Sequence, residues 1–212
     1  DADLIEAGEG AEALVADAIA PVSAKVIEGI STLKLIHSEG VAVNVIDAAA
    51  ARRQHVYVCN CKGMNAVAVA EQALLLMLGL MRDVVAGDAE VRAGKQLAAK
   101  HRQMVEGIRE IYGARVGLVG IGDIGTETAK RLVAFGAEVS YYQRTPLAAE
   151  LEKELNVRYL PLDELLAQSD VVSLHLPVTP QTTGMVDAAF LDKMRADAYL
   201  VNTSRGELVD NA

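Results

Sequence analysis

The glycine-rich segment at residues 120–125, which reads GIGDIG, constrains the fold more than any other part of the chain. It follows an apolar run at residues 115–119, and it precedes residues 126–135, whose pattern predicts a helix. A buried strand, a glycine turn and a helix in this order begin a βαβ unit. The segment therefore predicts a parallel α/β sheet.

Each position of the turn has a physical role in holding phosphate groups. Gly120 permits a tight bend, Gly122 lets the backbone approach a ligand, and Gly125 lets the helix pack closely. The N–H groups of Asp123 and Ile124 begin the helix, where the helix dipole favours negative charge. Because the Asp123 carboxylate would repel phosphates, we expect it to point away. The turn thus predicts a site for a dinucleotide pyrophosphate, and a purely structural turn is the alternative.

The remaining segments extend this unit in both directions. After the turn, we predict strands at 138–142, 171–176 and 198–202, and helices at 162–167 and 190–194. This order is that of a Rossmann doubly wound parallel sheet. Before the turn, the patterns predict strands at 3–7, 33–37 and 56–59 and helices at 24–28 and 47–54, which form a smaller parallel α/β domain. A polar stretch at 82–113, with one or two solvent-facing helices, separates the two, and we expect domains at 1–91 and 92–212.

Residues 66–81 predict an unusually apolar helix, in which only Glu71 and Gln72 are polar. Such a helix must be buried on nearly all sides. It either lies in a subunit interface, which predicts a homodimer, or it forms a central core helix. Both interpretations stay open.

Composition excludes several classes of partner. The net charge is −9 and no stripe of Lys and Arg occurs, so we expect neither nucleic acid nor an anionic membrane as partner. The longest apolar run is too short to span a bilayer. The two cysteines, Cys59 and Cys61, lack a second pair at zinc spacing. We therefore expect reduced thiols, a cytoplasmic protein and no metal site.

The end of the second strand after the turn predicts which dinucleotide is bound. NAD-selective sites carry an acid there, which accepts hydrogen bonds from the ribose. This chain has Gln143 followed by Arg144, which can pair with a 2′-phosphate. We therefore expect a nicotinamide cofactor and favour NADP(H) over NAD(H). An ordinary exposed loop arginine is the alternative.

Motifs spread over most of the chain resemble those of the D-isomer-specific 2-hydroxyacid dehydrogenases. They are the segments LKLI at 33–36, GVA at 40–42, NCKGMNAVAVAE at 60–71, the glycine turn, HLPVTP at 175–180, TTG at 182–184 and VNTSRG at 201–206. The resemblance implies reversible hydride transfer between nicotinamide C4 and the α-carbon of a 2-keto acid. It also implies that the first domain is part of a flavodoxin-like substrate domain.

The same resemblance implies roles for individual residues in substrate binding. Arg205 is the catalytic arginine, which grips the substrate carboxylate and polarises the keto oxygen. Backbone N–H groups of Gly40, Val41 and Ala42 hold that carboxylate, and Ala42 stands where the family usually has glycine. Around the cofactor, Leu176 and Pro177 line the adenosine, and Thr203 and Ser204 lie beside the nicotinamide. His175 is structural rather than the proton donor.

The family's proton donor is a His paired with a Glu, both downstream of the arginine motif, and the chain stops at Ala212. We therefore expect a fragment of a longer enzyme, clipped at both ends, with little turnover by residues 1–212 alone. Two other functions share the fold: a dinucleotide-sensing corepressor of the carboxy-terminal-binding-protein type, and, with a poorer fit, a methyltransferase. The identity of the 2-hydroxy acid is not readable. Glu39 either disfavours a second substrate acid or faces solvent.

Overall fold

The computed structural model describes residues 1–17 and 19–211. The chain packs as two compact units, Asp1–Asn65 and Ala66–Ala212. The division falls earlier than the domain boundary expected at residues 91–92, because the apolar helix that follows Asn65 packs with the second unit. Within the described residues, no helix is long and apolar enough to cross a membrane.

The first unit is a three-stranded parallel sheet in the order β1-β2-β3 with three short helices. Its elements are α1 (Ala2–Ala7), β1 (Ala13–Ala16), α2 (Ala24–Gly29), β2 (Leu35–Ser38), α3 (Ala48–Arg53) and β3 (Tyr57–Asn60). Ser23 and Asp47 cap α2 and α3, since each side chain accepts a hydrogen bond from a backbone N–H of its helix. Val26, Ile27 and Ile36 form the centre of the core. The predictions of two helices and of the strands at 33–37 and 56–59 are confirmed.

The prediction of a strand at residues 3–7 is wrong, because α1 occupies them. Alanine, leucine and glutamate favour a helix, and Ile5 N–H donates to the Asp1 carbonyl at 3.0 Å. The Ile5 side chain lies against Gly29 of α2, where a Cβ would be only 2.8 Å from Ile5 Cδ1. The first strand is β1 instead, which had no predicted counterpart.

The second unit is a five-stranded parallel sheet in the order β6-β5-β4-β7-β8. The strands are β4 (Arg115–Val119), β5 (Glu138–Tyr142), β6 (Arg158–Tyr159), β7 (Val171–Leu174) and β8 (Tyr199–Asn202). The helices are α4 (Ala66–Met81), α5 (Val84–Arg92), α6 (Gln96–Glu106), α7 (Asp123–Ala134), α8 (Ala149–Leu155), α9 (Leu162–Gln168) and α10 (Ala188–Lys193). Strand β4 lies at the centre and the chain continues on both sides of it, which confirms the Rossmann doubly wound sheet. Among these strands and α-helices, α8 and β6 were not predicted.

Helix α4 is buried on one face and exposed on the other. Ala70, Ala73 and Met77 are fully buried, and the helix packs against α7 and β8. Leu75 is 62% exposed and Leu80 is 44% exposed. The expectation of burial on nearly all sides therefore holds for one face only, and α4 is not a central core helix within the described residues.

A charged network joins the amino ends of three strands. Arg115 Nη2 lies 2.7 Å from Asp170 Oδ1, and Arg195 Nε lies 3.4 Å from the same oxygen. Arg109 and Arg195 both pair with Asp197. The hydrogen bond from Arg115 holds the pKa of Asp170 below its usual value, and that from Arg195 does the same for Asp197. The network lies at the sheet edge opposite the glycine turn.

Candidate functional site

The glycine turn closes the carboxyl end of β4 against its two neighbouring strands. Gly120 has φ +101°, which favours glycine, and a Cβ there would be 2.4 Å from the His175 carbonyl oxygen. Its N–H donates to the Tyr142 carbonyl at 2.8 Å. The turn is thus fixed between the ends of β5 and β7, so only glycine fits at position 120 without movement of the backbone.

The two other glycines lie in opposite surroundings. A Cβ at Gly125 would be 2.5 Å from the Gly120 carbonyl oxygen, whereas a Cβ at Gly122 would meet nothing within 4 Å. The first N–H groups of α7, from Asp123 and Ile124, have no intrahelical acceptor, and the N-cap residue Gly122 has no side chain that could accept from them. The predicted strand, turn and helix are confirmed. The open space at Gly122 fits a phosphate group.

The end of β5 carries no acid. Gln143 Nε2 donates to the Thr145 carbonyl at 2.6 Å, which turns this amide along its own loop. Arg144 is exposed, and its guanidinium makes no ion pair with any residue in 1–17 or 19–211. Its charge is therefore available to a ligand.

The end of β7 places one histidine behind the turn and two apolar residues beside it. His175 Nε2 lies 3.0 Å from Ser173 Oγ, and Nδ1 is buried without a hydrogen-bond partner among the described residues. Burial lowers the pKa of His175 to about 4, so the ring is neutral at neutral pH. This supports its predicted structural role. Leu176 packs against the turn, because a Cβ added at Gly120 would be 3.0 Å from Leu176 Cδ2, and Pro177 is exposed.

The end of β8 is shaped by Asn202, which the sequence motif contained but which was assigned no role. Its Oδ1 accepts from the Ser204 N–H at 2.9 Å, and its Nδ2 donates to the Arg205 carbonyl at 2.8 Å. Ser204 Oγ donates to the Leu174 carbonyl, which ties this turn to β7. Thr203 Oγ1 is buried and has no partner within the described ranges. Arg205 is exposed, and its Nη1 donates to the Ser204 carbonyl at 2.9 Å.

In the first unit, the loop after β2 has its carbonyls engaged and its N–H groups free. The carbonyls of Gly40, Val41 and Ala42 accept from Cys61 N–H (3.1 Å), Asn60 Nδ2 (2.6 Å) and Ser38 Oγ (2.8 Å), respectively. None of the three N–H groups donates to another described residue. Three adjacent free donors on a fixed loop fit a carboxylate. Ser38 and Asn60, which hold the loop, were not predicted; a polar residue directly at the end of a strand was the only signal.

The predicted cofactor residues of the second unit therefore gather at one sheet edge, at the ends of β4, β5, β7 and β8. Such an edge, beside the central strand where the order of strand addition reverses, is where doubly wound sheets bind ligands. No group of three or more His, Cys, Asp or Glu side chains that could hold a metal ion occurs in residues 1–17 and 19–211.

Comparison with known proteins agrees with this arrangement. Residues 74–212 match the family described as D-isomer specific 2-hydroxyacid dehydrogenase, NAD binding domain. The chain belongs to this family. The match covers the glycine turn, the end of β7 and the arginine motif after β8, so the resemblance seen in the sequence is confirmed.

Among the relatives, the chain is 38% identical over 207 residues to a glyoxylate reductase of Korarchaeum cryptofilum, covering 98% of this chain and 62% of that protein. It is 37% identical over 209 residues to a D-3-phosphoglycerate dehydrogenase of Mycobacterium tuberculosis, covering 99% of this chain and 38% of the relative. A holo form of Rhodotorula graminis D-mandelate dehydrogenase superposes with a TM-score of 0.89 at 28% identity, over 99% of this chain and 64% of that one. The chain thus spans less than two thirds of the length of these relatives, all of which carry enzyme names.

Proposed function

We propose that the chain is part of an oxidoreductase that transfers a hydride between a nicotinamide cofactor and a 2-keto or 2-hydroxy acid of the D series. The observation that carries this proposal is the second unit's carboxyl edge, where an open phosphate cradle at Gly122 and the exposed guanidinium of Arg205 share one side of the sheet. The names of the relatives support an enzyme and offer no support for a corepressor.

The cofactor residues have separable roles in this proposal. The N–H groups of Asp123 and Ile124 bind the pyrophosphate at the positive end of α7. Leu176 and Pro177 offer an apolar surface to the adenosine. Thr203 carries a buried hydroxyl in need of a partner, which fits a polar group of the nicotinamide end. When bound, the nicotinamide supplies the hydride acceptor or donor at C4.

Two elements are proposed for the substrate carboxylate and keto group. Arg205 has a permanent charge and a planar set of donors, which stabilise the negative charge that develops on the keto oxygen. The loop Gly40–Val41–Ala42 offers three N–H groups whose carbonyl partners are already engaged. These neutral backbone N–H groups can bind a carboxylate although the loop carries no positive charge.

The cofactor preference is proposed to be NADP(H) over NAD(H). Gln143 does not repel a 2′-phosphate, and Arg144 is exposed without an ion-pair partner among the described residues. The Arg144→Ala variant is expected to lose at least about fivefold in affinity for NADPH, because one exposed charge-assisted pair contributes about 1 kcal/mol. Its affinity for NADH should stay unchanged, and an equal loss for both cofactors would contradict the preference.

A homodimer is proposed through the exposed face of α4. Val67, Leu75, Leu76 and Leu80 are apolar and exposed on a helix whose other face is buried. Leu76 and Leu80 lie one helical turn apart, and exposed apolar surface of this kind marks interaction sites. Because Cys59 and Cys61 are free thiols, we also propose a reducing, cytoplasmic location.

The test of the proposed function is a panel of 2-keto acids assayed with the full-length enzyme of which residues 1–212 are proposed to be part, following NADPH and NADH oxidation separately. Glyoxylate, hydroxypyruvate, pyruvate and a bulky aromatic keto acid cover the range of pocket sizes. Reduction of at least one acid, abolished by Arg205→Gln, is the expected result. Dinucleotide binding without turnover of any acid would favour a sensor instead.

A further inference from the structure

A histidine lies between two thiols in the first unit, outside the residues assigned above to cofactor and substrate. His37 Nδ1 is 3.0 Å from Cys59 Sγ, its neighbour in the β2–β3 pairing. The other ring nitrogen, Nε2, is 3.4 Å from Cys61 Sγ. Since the thiols contact opposite ends of the ring, they do not converge on one point as metal ligands do. The arrangement calls for another explanation.

A neutral His37 ring can accept a hydrogen bond from only one of the two thiols at a time. A neutral imidazole has one N–H donor and one acceptor nitrogen. When Cys59 S–H donates to Nδ1, Nε2–H donates to Cys61 Sγ, so each sulfur has a different hydrogen-bonding role. If the Cys59 proton moves to Nδ1, the imidazolium donates to both sulfurs and stabilises the thiolate. This is the environment of reactive cysteines that are paired with histidine.

We propose that Cys59 is a reactive thiol, with His37 as its base, and that it is modified by hydroperoxides and other soft electrophiles. Cys59 is exposed, whereas Cys61 is half-buried, so an incoming electrophile reaches Cys59 first. In the step with hydrogen peroxide, the Cys59 proton passes to His37 and the thiolate attacks one peroxide oxygen. The O–O bond breaks, His37 returns the proton to the leaving hydroxide, and the products are the sulfenic acid and water. Sulfur is oxidised by two electrons and peroxide is reduced.

The cluster is joined through the backbone to the loop proposed for substrate binding. Cys61 N–H donates to the Gly40 carbonyl, and Asn60, between the two cysteines, donates to the Val41 carbonyl. An adduct on Cys59 displaces His37 and loosens these bonds. Oxidation should therefore increase hydrogen exchange at the Cys61 amide, whose N–H donates to the Gly40 carbonyl. An effect of this oxidation on substrate binding rests on the proposed function, whereas the reactivity of Cys59 does not.

The experiment is alkylation by iodoacetamide at neutral pH, with Cys59 and Cys61 quantified separately by peptide mass spectrometry. In the folded chain, Cys59 should react about tenfold faster than in the chain unfolded by denaturant, and faster than Cys61. His37→Gln and His37→Asn should each remove this advantage, since an amide accepts a hydrogen bond but takes no proton. His101→Gln, on α6 of the other unit, is the matched control and should change nothing.

Peroxide followed by dimedone should label Cys59 in the wild type and leave it unlabelled in both His37 variants. A Cys59 rate equal to that of the unfolded chain would overturn the proposal, and this comparison needs no variant to fold. Preferential labelling of Cys61, or an unchanged rate in a His37 variant with wild-type circular dichroism, would overturn it as well. All these readouts are independent of keto-acid turnover, so a failed dehydrogenase assay leaves them interpretable.

Discussion

Gly120 and Gly122 are two residues apart, yet alanine at each is expected to damage a different property. In Gly120→Ala, the new Cβ is 2.4 Å from a backbone oxygen and φ is +101°. The unfavourable φ costs about 1–3 kcal/mol, and the overlap costs about 1–3 kcal/mol more. The folded state therefore loses at least about 2 kcal/mol, which lowers the melting temperature by at least roughly 4 °C in a chain of this size.

In Gly122→Ala, by contrast, the Cβ meets nothing within 4 Å. With φ −71° and ψ −159°, the backbone is open to any residue. Lower entropy of the unfolded chain adds about 0.4–1 kcal/mol of stability, and alanine's poor N-capping removes a similar amount, about 0.5–1 kcal/mol. The melting temperature should therefore stay near that of the wild type. The methyl group occupies the proposed phosphate position, so dinucleotide affinity should fall at least about tenfold, or 1.4 kcal/mol.

Both variants can be measured by thermal unfolding without ligand and by calorimetric titration with NADPH and NADH. The paired design separates a folding role from a binding role within one turn. Wild-type affinity in a fully stable Gly122→Ala would refute the proposed cradle. A Gly120→Ala variant as stable as the wild type would refute the steric argument itself.

Three further outcomes are expected. Asp170 and Asp197 have lowered pKa values in the folded state, so the ionised carboxylates stabilise the fold above their ordinary pKa of 3.8, and this stability is lost as the pH falls through the folded-state pKa. The fall in melting temperature between about pH 5 and about pH 2 should therefore be smaller in Asp170→Asn than in the wild type. An identical pH profile for the two proteins would contradict this. In the full-length enzyme, Arg205→Lys should lower kcat/KM for a keto acid by about 100-fold while the Kd for dinucleotide is unchanged, as transient kinetics and titration would show. Leu75→Glu with Leu80→Glu should convert a dimer to a monomer in light scattering, with circular dichroism preserved; a variant that still dimerises would place the interface elsewhere.

The segments that could be predicted from the sequence are those whose structure follows from local chemistry. Buried parallel strands are continuous apolar runs, so Arg115–Val119 and Val171–Leu174 were recognisable. The glycine spacing also implied the strand, turn and helix order. Residues 2–7 failed because a six-residue apolar and acidic segment suits a helix or a strand, and packing of Ile5 on Gly29 decided between them.

Only the tertiary structure decided which side chains are buried and which contact one another. The composition of α4 predicted burial all round, but β8 and α7 cover only one of its faces. No pattern in the sequence indicated that His37 would lie between two thiols, because the contacts join residues 22 and 24 positions apart. The sequence by itself determined the glycine turn and the succession of strand, turn and helix around it, since both depend on residues close along the chain. Which side chains stay exposed, paired or free depends on distant segments, and those meet only when the sheets form.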